Sequence, residues 1–246
     1  MHRFIAPELP HEGELVQLPP DEARHAIGVL RLGAGDSIIL IDGKGGAALA
    51  RLELSGRAAF ARGLARCDSR EPRVRVTLYQ GLCKGDKMDW IIQKCTELGV
   101  DAIQPVQFKR CDARISGDLA AKEARCQRVA REAAKQCARA WIPTVHPAVS
   151  FDKMIDYIND DINNKHSIFA LWEESRASFA DALRARTAER AGLIVGPEGG
   201  IAPEEISRLE RAGAVSVTLG SRILRTETAG VAALTIALFA AGDLGC

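Results

Sequence analysis

Near its C-terminal end the chain reads Leu193-Ile194-Val195-Gly196-Pro197-Glu198-Gly199-Gly200, an apolar run followed by a glycine-rich loop. A second pair follows, in which Val215-Ser216-Val217-Thr218 leads into a loop over residues 219–229. Short β-branched runs bounded by turn residues predict buried strands. In α/β proteins, small-molecule sites form in the loops that follow the carboxyl ends of strands. The two pairs therefore predict an enzyme or a cofactor-binding protein.

Each glycine loop leads into a predicted helix. After the first loop, Pro203 fits the first helical position, and Glu204 and Glu205 suit the positive end of the helix dipole. Ala202 stands where a serine or threonine would cap that helix, which costs about 1 kcal/mol. After the second loop, residues 228–241 are almost wholly apolar but too few to span a bilayer. They predict a core helix.

The rest of the chain divides into two patterns. Residues 1–71 are β-rich and predict a compact, barrel-like module, with strands at 36–41, 47–54 and 58–66 and one helix at 21–30. A charged, proline-bearing break at 70–73 marks the predicted domain boundary. In residues 72–246 strands and helices alternate, which predicts a largely parallel α/β sheet. Its further elements are strands at 74–80, 102–106 and 167–172 and helices at 86–98 and 118–140.

Composition excludes several classes of protein. The chain has 246 residues, a formal charge of +1 and 47% hydrophobic residues, as expected for a globular protein. Its seven cysteines form no C-x-x-C pair, and its histidines have no metal-ligand spacing, so we expect no zinc site, no other metal and no disulfide framework. No signal peptide or membrane span is predicted, and we expect a cytoplasmic protein. Dinucleotide, P-loop and serine-hydrolase motifs are absent from the sequence.

Basic residues concentrate at 51–75 and 109–139. In the second segment Arg125, Arg128, Arg131, Lys135 and Arg139 recur at helical spacing, which suits contact with nucleic-acid phosphates. The alternative interpretation is a solvated helix face.

The second glycine loop also places Arg222 and Arg225 close to Glu227 in sequence. A guanidinium beside a carboxylate can orient a polar substrate or stabilise a developing anion. The same spacing is equally compatible with a surface ion pair. The glycines of the first loop could likewise serve only tight turns, although Glu198 among them favours a functional loop.

Together, Gly196–Gly200 and residues 219–229 resemble the cofactor loops of the SPOUT methyltransferases, and more narrowly those of the 16S rRNA (uridine-N3) methyltransferase family, RsmE. Three further matches extend the resemblance along the chain. Met1-His2-Arg3-Phe4 with residues 25–43 resembles the family's N-terminal module. Residues 84–100 resemble its first linker helix, and residues 132–139 its basic helix.

The resemblance implies an N-terminal PUA-like β-barrel at 1–71 and a C-terminal SPOUT domain at 72–246 with a deep trefoil knot. It implies a homodimer that binds S-adenosylmethionine and methylates N3 of one uridine in the decoding-centre helix of 16S rRNA. The implied catalytic residues are Arg225, Glu198 and Glu227, with Arg225 ranked first and the carboxylates unranked. The implied cofactor residues are Leu171, Gly196, Pro197, Gly199, Leu219, Gly220, Ile223, Leu224 and Thr228. The implied RNA-binding residues are Arg3, Arg24, Arg31, Lys84, Lys87, Arg110, Arg131 and Arg139.

Two other functions remain open at this point. One is a non-catalytic RNA-binding module, which would not need intact cofactor loops. The other is a SPOUT enzyme that methylates a different RNA or a ribose. Cys83 stands before Lys84 where the family usually has proline, which leaves the assignment unchanged.

Overall fold

The structure is a computed structural model that describes residues 1–68, 71–185 and 189–245. It divides into two compact units. Unit 1 comprises Met1–Glu71 and Glu132–Ile142, and unit 2 comprises Pro72–Arg131 and Pro143–Cys246. Arg70, in the predicted boundary, and Cys246 lie outside the described residues. The six described cysteines are free thiols.

Unit 1 is built on a five-stranded sheet with the order β1-β3-β4-β5-β2. β1 and β3 run parallel, and the other neighbours are antiparallel. One side of the sheet buries an apolar core that includes Phe4, Ile38, Leu40 and Leu52. The strands are β1 (Arg3–Ile5), β2 (Leu15–Gln17), β3 (Ser37–Ile41), β4 (Ala47–Ser55) and β5 (Ala58–Cys67).

The helix predicted at 21–30 is only partly α-helical. Helix α1 spans Pro20–Arg24 and continues as a π-helical turn over His25–Val29. The Leu30 N–H donates to the His25 carbonyl at 3.0 Å, five residues back, which gives the wider turn. Local sequence pattern does not distinguish this turn from an α-helix.

Two buried ion pairs tie the segment after residue 131 into unit 1. The Arg139 Nε and the N–H groups of Ala140 and Trp141 all donate to Glu71, at 2.9–3.0 Å. The Lys135 ammonium lies 3.2 Å from Glu22, and both side chains are less than one-tenth exposed. These bonds satisfy charges that would be costly to bury alone.

The basic helix predicted at 118–140 is shorter in the structure. Helix α3 spans Leu119–Cys137, because Ala138 takes a left-handed backbone with φ of +73° and ends it before residue 140. The single basic face does not form: Lys135 and Arg139 are buried in ion pairs, and Arg125 binds Asp89 at 2.5 Å. Sequence spacing showed the cations but not their carboxylate partners.

Unit 2 contains the predicted parallel sheet, in the order β12-β10-β11-β6-β7-β8, with β9 also paired to β7. Every described pairing in it is parallel. Its strands are β6 (Arg75–Gly81), β7 (Ala102–Gln107), β8 (Thr144–Val145), β9 (Val149–Ser150), β10 (Ser167–Leu171), β11 (Arg190–Val195) and β12 (Val215–Val217).

Helices cover both faces of this sheet, as a doubly wound α/β fold requires. On one face the core is formed with α2, α5 and α7, and on the other with α4 and α6. Helix α2 buries the apolar side that its sequence predicts, and Gly99 ends it with φ of +116°. The helices are α2 (Lys87–Leu98), α4 (Phe151–Asn163), α5 (Phe179–Arg184), α6 (Pro203–Arg211) and α7 (Thr226–Ala240).

The strand order brings four loops to one edge. β6, β11, β10 and β12 are consecutive neighbours in the sheet, so the loops after their carboxyl ends meet there. Strands β1, β2, β8 and β9 and helices α4 and α5 were not predicted from the sequence. The strands and α5 are short, whereas α4 has an apolar face and a capping serine, Ser150, that sequence reasoning missed. Within the described residues, no helix has the length and apolarity that a membrane crossing needs.

We expect Arg139→Ala to destabilise unit 1 by about 3 kcal/mol, because it leaves Glu71 buried without its guanidinium. Hydrogen exchange of the β4 and β5 amides measures the loss. Arg184→Ala is the control, since Arg184 and Asp181 form an ion pair in which both side chains are about three-quarters exposed. Such a pair contributes about 0–1 kcal/mol. Equal effects of the two variants would contradict the structural role of Arg139.

Candidate active site

A cavity of about 570 Å³ lies at the carboxyl edge of the unit 2 sheet. Its walls are the ends of β10 and β11, the two glycine loops and the first turns of α2 and α7. Volumes of 300–1,000 Å³ are typical of small-molecule sites. The lining residues are Lys87, Leu171, Trp172, Glu173, Val195, Gly196, Pro197, Glu198, Gly199, Gly200, Ile201, Thr218, Leu219, Gly220, Ser221, Arg222, Ile223, Leu224, Arg225, Thr226, Glu227 and Ala229.

The first glycine loop is held by close backbone contacts that need glycine. A Cβ on Gly81, at the end of β6, would lie 2.7 Å from the Gly196 carbonyl carbon. A Cβ on Gly199 would lie 2.8 Å from the Arg110 carbonyl oxygen. Both distances are shorter than real Cβ contacts allow. The glycines therefore serve close packing of two chain segments against the loop, which is more than turn formation.

A buried hydrogen-bond network joins three distant segments beneath the cavity. The Gln80 Nε2 donates to the Thr226 hydroxyl at 2.8 Å, and that hydroxyl donates to the Gly196 carbonyl at 2.6 Å. Gln80 and Thr226 are both buried. The network fixes the end of β6, the first glycine loop and the start of α7 to one another.

One end of the cavity carries three charged side chains. The Lys87 Nζ lies 3.1 Å from Glu198 Oε1 and 3.8 Å from Glu227 Oε2. Partial burial raises the pKa of Glu198, but hydrogen bonds from its own backbone N–H and from Lys87 and Lys84 lower it further, so the net pKa lies below its ordinary value. Hydrogen bonding to Glu198 raises the pKa of Lys87. Lys87 and Glu198 are thus a charged pair at neutral pH.

The predicted catalytic residues all line this cavity. Arg225, whose side chain is exposed, precedes α7, and Glu227 lies in the first turn of that helix instead of in the loop. Within residues 1–68, 71–185 and 189–245, neither Arg222 nor Arg225 forms an ion pair with Glu227, which pairs with Lys87. The surface ion pair that the sequence spacing also allowed, between one of these arginines and Glu227, is therefore not formed within the described residues.

The predicted cofactor residues also line the cavity, except Thr228. Because α7 begins at Thr226, Thr228 falls on an exposed part of its first turn, outside the lining. Sequence reasoning missed Trp172 and Glu173, although both follow β10 directly at the same sheet edge. It also missed Thr226 as a buried link, because its partners are distant in sequence.

The predicted RNA-binding residues fall into different environments. In unit 1, Arg24 and Arg31 are exposed and Arg3 is half-buried, whereas Arg139 is buried against Glu71. That burial does not suit contact with a phosphate.

In unit 2, Lys87 lines the cavity and pairs with Glu198, so it belongs to the site instead of to a solvated basic surface. Lys84 pairs with Asp112 at 2.9 Å, and Arg110 donates to the Gly199 carbonyl at 3.4 Å. Arg131 is half-buried. No group of three or more metal-ligating side chains occurs among the residues that the structure describes.

Comparison with known families agrees with this arrangement. The model of the RNA methyltransferase domain family matches residues 70–238, which contain the cavity. The model of the RNA methyltransferase PUA domain family matches residues 18–61. The fold and the site thus define an RNA methyltransferase with an accompanying PUA domain.

Individual relatives specify the family. The chain is 37% identical to ribosomal RNA small subunit methyltransferase E of Mycobacterium bovis, over 94% of this chain and 88% of that protein. It matches the crystal structure of a ribosomal RNA small subunit methyltransferase E from Neisseria gonorrhoeae bound to S-adenosyl methionine, with a TM-score of 0.85, 36% identity and 95% of each chain covered. A putative methyltransferase from Legionella pneumophila, in complex with the same cofactor, matches with a TM-score of 0.83, 29% identity and 96% of each chain covered. The chain belongs to the ribosomal RNA small subunit methyltransferase E family.

We expect Thr226→Val to destabilise unit 2 by about 1–3 kcal/mol, because it leaves the buried Gln80 amide and the Gly196 carbonyl without the hydroxyl. Urea unfolding followed by tryptophan fluorescence measures the change. Thr235→Val is the matched control in the same helix, since in the described part of the chain the Thr235 hydroxyl bonds only to the Val231 carbonyl one turn back. We expect that variant to lose less than about 1 kcal/mol. A Thr226 variant as stable as the control would contradict the network's role.

Proposed function

We propose that this chain uses S-adenosylmethionine to methylate N3 of one specific uridine in the decoding-centre helix of 16S rRNA. The observation that carries the proposal is the cavity itself, in which two glycine loops meet a charged cluster at the carboxyl edge of a parallel sheet. Membership of the rRNA methyltransferase family supports the reaction class. The cofactor of the Neisseria relative supports S-adenosylmethionine.

The cavity fits this cofactor in size and chemistry. An adenine ring could pack against apolar side chains of the cavity, which are Leu171, Leu219, Ile223 and Leu224. The two glycine loops offer backbone groups without side-chain obstruction. Gly196, Pro197, Gly199 and Gly220 would supply those backbone contacts. When bound, the cofactor supplies an electrophilic methyl group on a sulfonium.

Residues of the cavity must then accept the uridine N3 proton or stabilise the negative charge that its loss leaves on the base. Uridine N3 carries a proton at neutral pH, so transfer requires its removal or stabilisation of the resulting anion. Arg225 is exposed, lines the cavity and has no ion-pair partner among the described residues, so its guanidinium is available for the flanking carbonyl oxygens. Three carboxylates line the same cavity, Glu173, Glu198 and Glu227, and of these Glu198 and Glu227 lie within 4 Å of Lys87.

The substrate and assembly form the second part of the proposal. We assign RNA binding to a PUA-like β-barrel at 1–71, where Arg24 and Arg31 are exposed, and methyl transfer to a SPOUT domain at 72–246 with a deep trefoil knot. A knot would be an exception to the usual absence of threaded connections. We assign a homodimer to the protein, as the family resemblance implies. The protein acts on the small ribosomal subunit in the cytoplasm. Sedimentation equilibrium tests the dimer.

Cofactor binding is the first measurement. Isothermal titration of the purified protein with S-adenosylmethionine should give micromolar affinity, and Gly199→Val should abolish binding because its side chain would meet the Arg110 backbone. Gly28→Ala is the control, since nothing lies within 4 Å of its added methyl group. A folded wild-type protein that binds no cofactor would favour the non-catalytic RNA-binding module.

The target nucleotide requires a separate test. Small subunits from a bacterial strain that lacks its own enzyme are incubated with the protein and cofactor, and the digested rRNA is analysed by mass spectrometry. We expect 3-methyluridine, and a reverse-transcription stop at one uridine because an N3 methyl group blocks base pairing. A 2′-O-methyl product, or methylation of tRNA alone, would favour the other SPOUT activities.

We expect Arg225→Ala to lower the single-turnover rate of methyl transfer by about 100-fold or more, while cofactor affinity changes less than about threefold. Loss of one donor to a developing anion typically costs 10²–10³ in rate. Arg184→Ala, an exposed arginine outside the cavity, is the control. Loss of cofactor binding by the Arg225 variant would contradict a role limited to the substrate.

A further inference from the structure

At the charged end of the cavity, Glu198 and Glu227 differ in their suitability as proton acceptors. Resting on the proposed function, we infer that Glu227 accepts the uridine N3 proton and that Lys87 is a positioning residue that keeps Glu198 paired. The two glutamates come from different segments and were equivalent in the sequence. Their surroundings in unit 2 are different.

One oxygen of Glu198 accepts two hydrogen bonds. Glu198 Oε1 accepts hydrogen bonds from the Lys87 ammonium at 3.1 Å and from the Lys84 backbone N–H at 3.3 Å. These bonds hold the carboxylate in its charged form, with a pKa below the ordinary value. A carboxylate stabilised in this way is a weak proton acceptor.

Glu227, a residue of the cavity wall, differs from Glu198 in its hydrogen bonding. Among the described residues its Oε2 is buried and has no hydrogen-bond partner, and the Lys87 ammonium at 3.8 Å is beyond hydrogen-bond distance. The side chain is 18% exposed and lines the cavity. A buried acceptor without a donor costs about 1–3 kcal/mol, which a ligand that brings a donor recovers.

Uridine can bring the hydrogen-bond donor that Glu227 Oε2 lacks among the described residues, whereas the sulfonium group of the cofactor is not a donor. The N3–H group can donate to Glu227 Oε2, whereas a sulfonium has no hydrogen on sulfur. In the transfer the N3–H bond breaks and its proton moves to Oε2. The electron pair left on N3 forms the bond to the methyl carbon, and the carbon–sulfur pair stays on sulfur. Glu227 later releases the proton to solvent.

Lys87 places a positive charge beside both carboxylates. Its ammonium lies within 4 Å of an oxygen of each, which offsets their like-charge repulsion. Without that charge, like-charge repulsion would raise the affinity of one carboxylate for a proton. Arg222, Arg225 and Glu173 also line the cavity. Burial raises the pKa of the nearby Cys83 thiol to about 12, so that it stays neutral.

The test compares Glu227→Gln with the matched variant Glu198→Gln. Single-turnover methyl transfer to small subunits is measured together with affinities for S-adenosylmethionine and S-adenosylhomocysteine. We expect Glu227→Gln to lower the rate by about 100-fold or more, the usual range for a general base, with both affinities within about threefold. Glu198→Gln should lower it less than about tenfold. A larger loss for Glu198→Gln overturns the inference.

Two further outcomes separate competing roles. If Glu227→Gln weakens the binding of S-adenosylmethionine more than tenfold but not that of S-adenosylhomocysteine, which lacks the sulfonium charge, Glu227 balances that charge and is not the base. If the wild-type protein makes no 3-methyluridine, the proposed function fails and the inference fails with it. The first result is read from binding alone and the second from the wild type alone, so the two failures are distinguishable.

Lys87 is tested by the pH dependence of the same rate between pH 6 and 9. We expect Lys87→Met to move the acid limb of the profile to higher pH, because it removes the positive charge that lies within 4 Å of both carboxylates, and activity should recover as the pH rises. Lys87→Arg should restore the wild-type profile. A Lys87→Met loss that is equal at every pH would assign Lys87 a structural or RNA-binding role and overturn its positioning role.

Discussion

The Thr226 hydroxyl is the bond on which the geometry of the cavity depends. It accepts from the Gln80 amide and donates to the Gly196 carbonyl, so that one buried group joins segments 146 and 30 residues away. Gln80 also donates to the Gly81 carbonyl within its own segment, whereas its bond to Thr226 and the bond from Thr226 to Gly196 form only when the three segments are in place. The contact of Gly81 with the Gly196–Pro197 backbone adds a steric limit at the same point. The first glycine loop therefore has little freedom to shift relative to α7.

The same ion-pair chemistry has different consequences in the two units. In unit 1, Glu71 and Arg139 are about one-tenth exposed and fully engaged, so their pair stabilises the fold. In unit 2, Lys87 lies between two carboxylates but hydrogen-bonds only one of them. The unequal distances leave one oxygen of Glu227 ion-paired with Lys87 but, among the described residues, without a hydrogen-bond donor. Complete pairing suits stability, whereas incomplete pairing leaves a group available to a ligand.

Much of unit 2 was predictable because its signals are local. The apolar runs predicted the central strands, the side chains of α2 predicted its buried side, and Pro203 predicted the start of α6. At the start of α6, Glu205 accepts the Ala202 N–H and also the Lys109 N–H. The contact with Lys109 comes from a distant loop, so the helix's own sequence did not predict it.

The sequence by itself determined the parallel α/β class, the two glycine loops and the residue types available for chemistry, since strand and turn preferences depend on near neighbours. Only the tertiary structure decided which charges are paired. Arg139 and Lys135 look like surface cations in the sequence, yet each meets a carboxylate from far along the chain. Glu198 and Glu227 look alike, yet Lys87 hydrogen-bonds one and not the other. The physical reason is that the energy of a charge depends on its distance to other charges and to water, and chain folding sets both.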